Sequence, residues 1–320
     1  MLTKKSLPTP FKVFQVGSVF RAERPQKGRY RQFTQCDIDV IGDESDFAEL
    51  ELILATSEAL SQIGFSGFTV RINDRRILNG VVEYCGYDKN EFEMVFITID
   101  KLDKIGLDGV EKELMEKSVN RPSSVKLMSF LRNVSSGLND DLFTLLPNEV
   151  NKNVIDELKQ IIKSVKVQSN GSYQIVFDPT LVRGMGYYTG PVFEIEDKDF
   201  PSSIAGGGRY DNMIGKYFGK KIPACGFSIG FERIMTLLEE RGLSIATNEE
   251  KRVVIFDVNS VSANFALTFA KEVRSGDGIV STQKRRKNVK KQLDDLVKLG
   301  YTSFCLLDSE SSKVEFRPIK

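Results

Sequence analysis

Residues 20–39 read Phe-Arg-Ala-Glu-Arg-Pro-Gln-Lys-Gly-Arg-Tyr-Arg-Gln-Phe-Thr-Gln-Cys-Asp-Ile-Asp, and the fold turns on how this stretch is understood. Four arginines and a lysine crowd a Pro/Gly turn, with an apolar run before it (Phe11 to Phe20) and an alternating acidic run after it (Cys36 to Gly42). That pattern predicts two antiparallel strands joined by a basic hairpin loop. By itself a basic β-turn is a solvated loop. Guanidinium groups held this close also suit a polyphosphate, because the arginine fork is planar, bidentate and always charged.

Working outward, Asp46 with Glu49 has the spacing of a capping box, Leu50, Ile53, Leu54, Leu60 and Ile63 repeat at helical spacing, and Gly64 supplies a stop. Phe68 to Asn73 alternates as a strand, and Arg75 to Cys85 is helical. Residues 100–168 are rich in Lys, Asp, Glu, Leu and Ile at helical spacing, broken by Pro122 and by the Ser/Gly/Asn-rich stretch from Asn133 to Asp140. A helical insertion is expected there. Strand character resumes at Tyr173 to Phe177 and Val192 to Glu196. From residue 251 the pattern starts afresh: an apolar strand at Val253 to Phe256, helices near Ala263 to Arg274 and Asn288 to Leu299, and a strand at Thr302 to Leu307. Strands alternating with helices imply a βαβ arrangement and a mostly parallel sheet. The expected organisation is residues 1–99 and 169–245 as two parts of one domain, 100–168 inserted between them, and 251–320 as a separate C-terminal domain. A chain of 320 residues is long enough for two or three cores.

Composition narrows the chemistry. With 45 basic and 44 acidic residues, any nucleic acid would be met by local patches and not by a global field. Four cysteines (Cys36, Cys85, Cys225, Cys305) show no metal-ligand spacing and suit reduced thiols in the cytoplasm, so the sequons at Asn133 and Asn170 are taken as chance. No apolar run approaches the roughly 20 residues needed to span a bilayer, and no signal-peptide core is present at the N-terminus. There is no histidine, which removes imidazole bases and His metal ligands together. Gly226-Phe227-Ser228-Ile229-Gly230 matches a nucleophile elbow, but without a histidine Ser228 lacks its usual activator.

Three further stretches carry information. Leu181 to Gly190 holds Arg183, Tyr187, Tyr188 and three glycines, which describes either a strand edge with packed rings or a backbone held close to a ligand. Ala205 to Asp211 (Ala-Gly-Gly-Gly-Arg-Tyr-Asp) fits neither the P-loop nor the dinucleotide fingerprint, and Ala224 to Arg233 runs small residues into a Glu-Arg pair at the start of a helix. The hairpin from Phe20 to Gln35 resembles motif 2 of the class II aminoacyl-tRNA synthetases, specifically the histidyl enzymes. Leu181 to Gly190 is similar to their RGLDYYTG signature, Gly207 to Asp211 to their GGRYD segment, and Gly226, Gly230, Glu232 and Arg233 to motif 3. The sequence departs from the family at Met185 and Gly186, which stand where Leu and Asp are usual, and at Ser228, where many members have glycine.

The resemblance implies an α/β (α+β) chain with the class II antiparallel sheet, a helical insertion and a βαβ anticodon-binding-like domain. It implies activation of histidine by ATP, with Mg²⁺ on the phosphates and no protein ligand for it in view, and transfer to tRNA(His). On these positions Arg21 would grip the α-phosphate and the histidine carboxylate, Arg29 and Arg233 the distal phosphates, and Phe33 with Arg233 would sandwich the adenine. Glu23 would contact the adenine or the tRNA end. Arg183 would stabilise charge as pyrophosphate leaves, making Arg21, Arg183 and Arg233 the catalytic set. Histidine would be bound by Gln35, which would take its α-amino group, and by Asp39, Tyr187, Tyr188, Gly207 and Tyr210 as well as by Arg21 and Arg183. Lys284, Arg285 and Arg286 would meet the RNA backbone. Such chemistry needs no protein base, since the attacking carboxylate is already ionised at neutral pH.

The family is a homodimer joined mainly through its N-terminal motif 1, which the hairpin is not preceded by here, and a Glu/Thr-bearing loop that binds the substrate amino group lies in the same missing part. The C-terminal segment is also shorter than a complete anticodon-binding domain, so activity of this chain alone is left open. Two other functions share the resemblance. One is a non-catalytic synthetase-like regulatory subunit of ATP phosphoribosyltransferase in histidine biosynthesis, and the other an RNA-binding paralogue.

Overall fold

The computed structural model describes residues 8–22, 24–25, 30–117, 120–136, 141–184, 186–200, 202–243, 251–274, 279–310 and 314–319. Glu23, Arg29 and Met185, and residues 137–140 of the predicted helix break, lie outside the described residues. The chain forms two compact units, one through residue 244 and one from residue 245.

The first unit is built on a seven-stranded sheet. Strands β1 (Phe11–Phe20) and β2 (Gln32–Ile41) are the predicted antiparallel pair, in register from Phe11 opposite Ile41 to Phe20 opposite Gln32. Helix α1 (Phe47–Gln62) follows, then β3 (Thr69–Asp74), α2 (Arg75–Cys85), α3 (Phe92–Ile99), α4 (Leu102–Lys117), α5 (Arg121–Ser135), a short 3₁₀ turn at Leu142–Leu145 and α6 (Lys152–Ser169). The chain returns to the sheet through β4 (Gln174–Phe177), β5 (Pro191–Glu196), β6 (Ala205–Arg209), α7 (Asp211–Phe218), β7 (Ala224–Gly230) and α8 (Phe231–Glu240). Strand order is β1-β2-β7-β6-β5-β3-β4, antiparallel throughout except for the last pair.

Gly64 ends α1 as expected, at φ +95°, a left-handed position that costs glycine nothing. The capping box does not form. The Asp46 side chain makes no cap hydrogen bond, and Glu49 is fully buried, its carboxylate gripped by Arg209 of β6 through Nε to Oε1 at 2.5 Å and Nη2 to Oε2 at 2.7 Å. A partner 160 residues away outbids the local backbone for that carboxylate, because a buried charge must be paired. Pro122, read as a breaker, instead opens α5 in its first turn, where the missing N–H is no loss. The helices between residues 102 and 169 share one apolar core with the sheet: Leu114, Leu127 and Leu158 belong to the same buried cluster as Phe193 and Phe227. Each such side chain contributes about 1.5–3 kcal/mol by leaving water.

The second unit has the predicted βαβ character. Its strands are β8 (Lys251–Phe256), β9 (Ile279–Lys284), β10 (Ser303–Leu307) and the short β11 (Arg317–Pro318), with helices α9 (Ala263–Arg274) and α10 (Val289–Lys298). β8 lies parallel to both β9 and β10, and β11 is antiparallel. Strand β9, polar for half its length, had no clear apolar signal.

Candidate active site

Side chains alternate across a strand, so register sorts the large sheet into two faces. On one face β2 presents Ile38 and Val40, β7 Cys225 and Phe227, and β5 Phe193 and Ile195, and these pack into the core. The other face is polar. One row across it reads Asp37, Ser228, Gly206, Glu194, Arg71, and the next reads Asp39, Gly226, Gly208, Val192, Asn73. Carboxylates and an arginine stand at the sides, and glycines and one serine form the middle. The floor of the site is therefore nearly bare backbone.

Above that floor, Arg21, Phe33, Gln35, Arg183, Tyr188 and Arg233 line one cavity of about 270 Å³. A second cavity of about 460 Å³ shares Arg21, Arg183 and Arg233 with it. Three guanidinium groups from β1's end, the loop after β4 and the first turn of α8 thus converge, although they lie far apart in sequence. Arg21 sits over the Phe33 ring at 4.1 Å from its centroid and donates from Nε to the Tyr30 carbonyl at 2.7 Å. Arg233 donates to the Ser203 carbonyl. Arg183 lies flat on the floor, since a methyl group added at Gly206 would come 2.2 Å from its Cζ. It donates to Glu194 and, at 3.1 Å, to the Ser203 hydroxyl. Glu194 also accepts from Arg71 at 2.9 Å, and Arg71 binds Asp178 through Nε at 2.6 Å and Glu196 as well. Glu232 accepts from the Thr34 N–H at 2.6 Å, tying α8 to β2.

Asp39 accepts from the Tyr210 hydroxyl. Burial pushes the Asp39 carboxyl above the ordinary carboxylate value, with Tyr210 pulling it down and Asp37 adding to the rise. Burial also raises the phenols of Tyr188 and Tyr210, so both remain protonated donors. Tyr187 and Tyr188 touch at 4.2 Å between ring centroids, and Gly184 at φ +60° lets Tyr188 close in. Gln35 donates from its amide to Asp37 Oδ1 at 2.9 Å. Gly207 falls on the opposite face. It pairs with Phe193 on one side and Phe227 on the other, whose rings meet 4.7 Å apart, so its side serves the core.

The histidyl-tRNA synthetase family profile matches residues 1–234. The chain belongs to the histidyl-tRNA synthetase family. It is 39% identical over 317 residues to the histidine–tRNA ligase of Leifsonia xyli subsp. xyli, covering 97% of this chain and 72% of that protein. With the histidine–tRNA ligase of Korarchaeum cryptofilum it shares 37% identity over 297 residues, covering 92% and 68%. In three dimensions it resembles the histidyl-tRNA synthetase from Nostoc, with a TM-score of 0.76 at 24% identity over 98% of this chain and 77% of that one. A protein from Bacillus halodurans described as an ATP phosphoribosyltransferase regulatory subunit/histidyl-tRNA synthetase has the same fold, with a TM-score of 0.68 at 22% identity over 94% and 74%.

Within the histidyl-tRNA synthetase frame, Glu194, Arg71, Ser203 and Asp37 were not singled out from the sequence. Glu194 and Asp37 sit on strands as ordinary alternating polar residues, and only the register reveals that both face the floor. In the second unit, Lys284, Arg285 and Arg286 are exposed, but Arg285 pairs with Asp308 at 2.7 Å and Arg286 with Asp295 at 3.0 Å. The glycine floor makes a direct prediction. A Cβ at Gly226 would lie 2.2 Å from Asp39 Oδ1. Gly226→Ala is therefore expected to dislodge Asp39 from Tyr210 and raise the histidine KM by about 100-fold while circular dichroism shows an intact fold; a KM within threefold of wild type would count against this placement of Asp39.

Proposed function

We propose that this chain activates histidine with ATP and transfers it to tRNA(His). The convergence of Arg21, Arg183 and Arg233 on one polar, glycine-floored cavity carries this reading. Amino acid activation joins a carboxylate to the α-phosphate and expels pyrophosphate, so negative charge gathers and shifts among phosphate oxygens. Preplaced guanidinium groups stabilise that charge, and a rigid floor holds the two substrates in line. Arg183, held over Gly206 by Glu194 and Ser203, would face the reacting phosphate. Arg233, at the head of α8, adds its charge to the positive end of a helix and suits the distal phosphates, in the role also expected of Arg29. An adenine stacked on Phe33 would take the place that the Arg21 guanidinium holds over that ring. Mg²⁺ is expected on the triphosphate, and no step is assigned to it.

Asp39 and Tyr188 suit a neutral imidazole, which offers one donor and one acceptor. An apolar side chain would leave them unpaired, and discrimination of that kind reaches about 10⁴. The same pocket makes Asp39 a trade between affinity and stability. Its pKa in the folded chain lies above the unfolded value, so the stability it lends is full at low pH and is lost as pH rises through the folded value. Asp39→Asn should thus unfold at a temperature equal to or above wild type at pH 7, with the difference shrinking toward pH 4, while the histidine KM rises far more than the ATP KM. Parallel rises in both would sink the pocket assignment.

Histidine-dependent exchange of pyrophosphate into ATP tests the reading, and charging of tRNA(His) completes it. The regulatory alternative is less supported: the curated relatives are histidine–tRNA ligases, and Arg21, Arg183 and Arg233 are all present and line one cavity. The exposed Lys284 and Lys287, beside the paired Arg285 and Arg286, offer the second unit's charge to an RNA backbone. A homodimer and a cytoplasmic setting fit the family; the four cysteines are free thiols, and no described helix is long and apolar enough to cross a membrane.

A further inference from the structure

Asp37 has no part in the roles above, yet register places its side chain on the site face of β2, between Gln35 and Asp39 and opposite Ser228. It accepts a hydrogen bond from Gln35 Nε2 at 2.9 Å. A primary amide has two unlike ends, an acceptor oxygen and a donor nitrogen, and a carboxylate accepts only. Asp37 captures the nitrogen end of the Gln35 amide. The oxygen end is then left for the cavity that Gln35 lines. That cavity holds three arginines, and Glu232 is engaged with the Thr34 N–H, so Asp37 is the carboxylate nearest the Gln35 amide among the bonds formed there. A substrate ammonium entering among three cations needs an oriented acceptor with negative charge behind it.

We propose that Asp37 is a positioning residue for the Gln35 already expected to bind the substrate's α-ammonium: it holds the amide nitrogen and so fixes the amide oxygen toward that group. This rests on the histidine-activating reading and deepens it. Along the same row, Arg183 lies over Gly206, two strands from Asp37, or about 10 Å by sheet spacing. The row therefore presents an acceptor at one end and a cation toward the other, matching an amino acid's two charged groups.

The test is calorimetric binding of two ligands to wild type, Asp37→Asn and Asp37→Ser. Histidinol keeps the amine and lacks the carboxylate, and imidazole-4-propionate keeps the carboxylate and lacks the amine. In Asp37→Asn the neighbour can donate as well as accept, so Gln35 is free to flip. Histidinol should weaken by about tenfold or more in both variants, the scale of one lost charge-assisted hydrogen bond, with imidazole-4-propionate within twofold of wild type. Equal weakening of both ligands, or no change for histidinol, overturns the proposal. Unchanged imidazole-4-propionate binding also shows that each variant is folded. Wild-type protein that binds neither ligand would instead refute the histidine reading, and the role of Asp37 would fall with it.

Discussion

Arg183→Met is expected to lower the rate of histidine-dependent pyrophosphate exchange by about 10²–10³, the scale seen when one preorganised donor to a developing anion is removed. The loss should appear mainly in kcat, because the guanidinium is asked to act when charge moves onto the departing phosphates. The variant should fold. Glu194, its partner, is only 8% exposed, and an orphaned carboxylate there would be costly, but Arg71 remains bonded to Glu194 at 2.9 Å. Arg183→Lys keeps the charge and loses the planar group that rests on Gly206, so it should recover a small part of the rate. Full activity in Arg183→Met would remove this arginine from the mechanism.

Arg209→Met is expected to destabilise the first unit by about 3–5 kcal/mol, the range for breaking a buried ion pair from one side. Glu49 has no exposure at all, and Arg209 also donates to the backbone oxygens of Asp43 at 3.0 Å and Ser45 at 2.7 Å. Its removal thus leaves a buried carboxylate and two carbonyls without their donor. Against a total of about 5–15 kcal/mol for a folded domain, such a loss is severe. The double change Glu49→Leu with Arg209→Met should recover most of it, since no charge is then stranded. Chemical denaturation of the two variants beside wild type measures both numbers, and an Arg209→Met variant as stable as wild type would contradict the geometry.

These two arginines also mark where the chain could and could not be understood from its letters. Arg183 announced itself through a dense local pattern of arginine, glycine and tyrosine. Arg209 stood in an equally suggestive glycine-rich segment, and its neighbourhood suggested a ligand. Its actual partner is Glu49, which local spacing had given to a helix cap. Local signals predicted well where the physics is local: α2 and α9 begin and end at the expected residues, and Gly64 stops α1. Register between strands distant in sequence has no such signal, and it decides which side of each strand meets substrate. Gly207 and Asp37 are the two consequences, one moved to the core and one brought into the site.

Removing side chains and watching activity fall is the usual way to map a binding surface, and here it would pass over the centre in silence. Gly206, Gly208, Gly226 and Gly230 have nothing to truncate. An alanine scan of this protein would light up a ring of arginines and acids and leave the middle dark, as though nothing there mattered. The informative experiment runs the other way, adding one carbon at a time to the floor, and its map should be the negative image of the first.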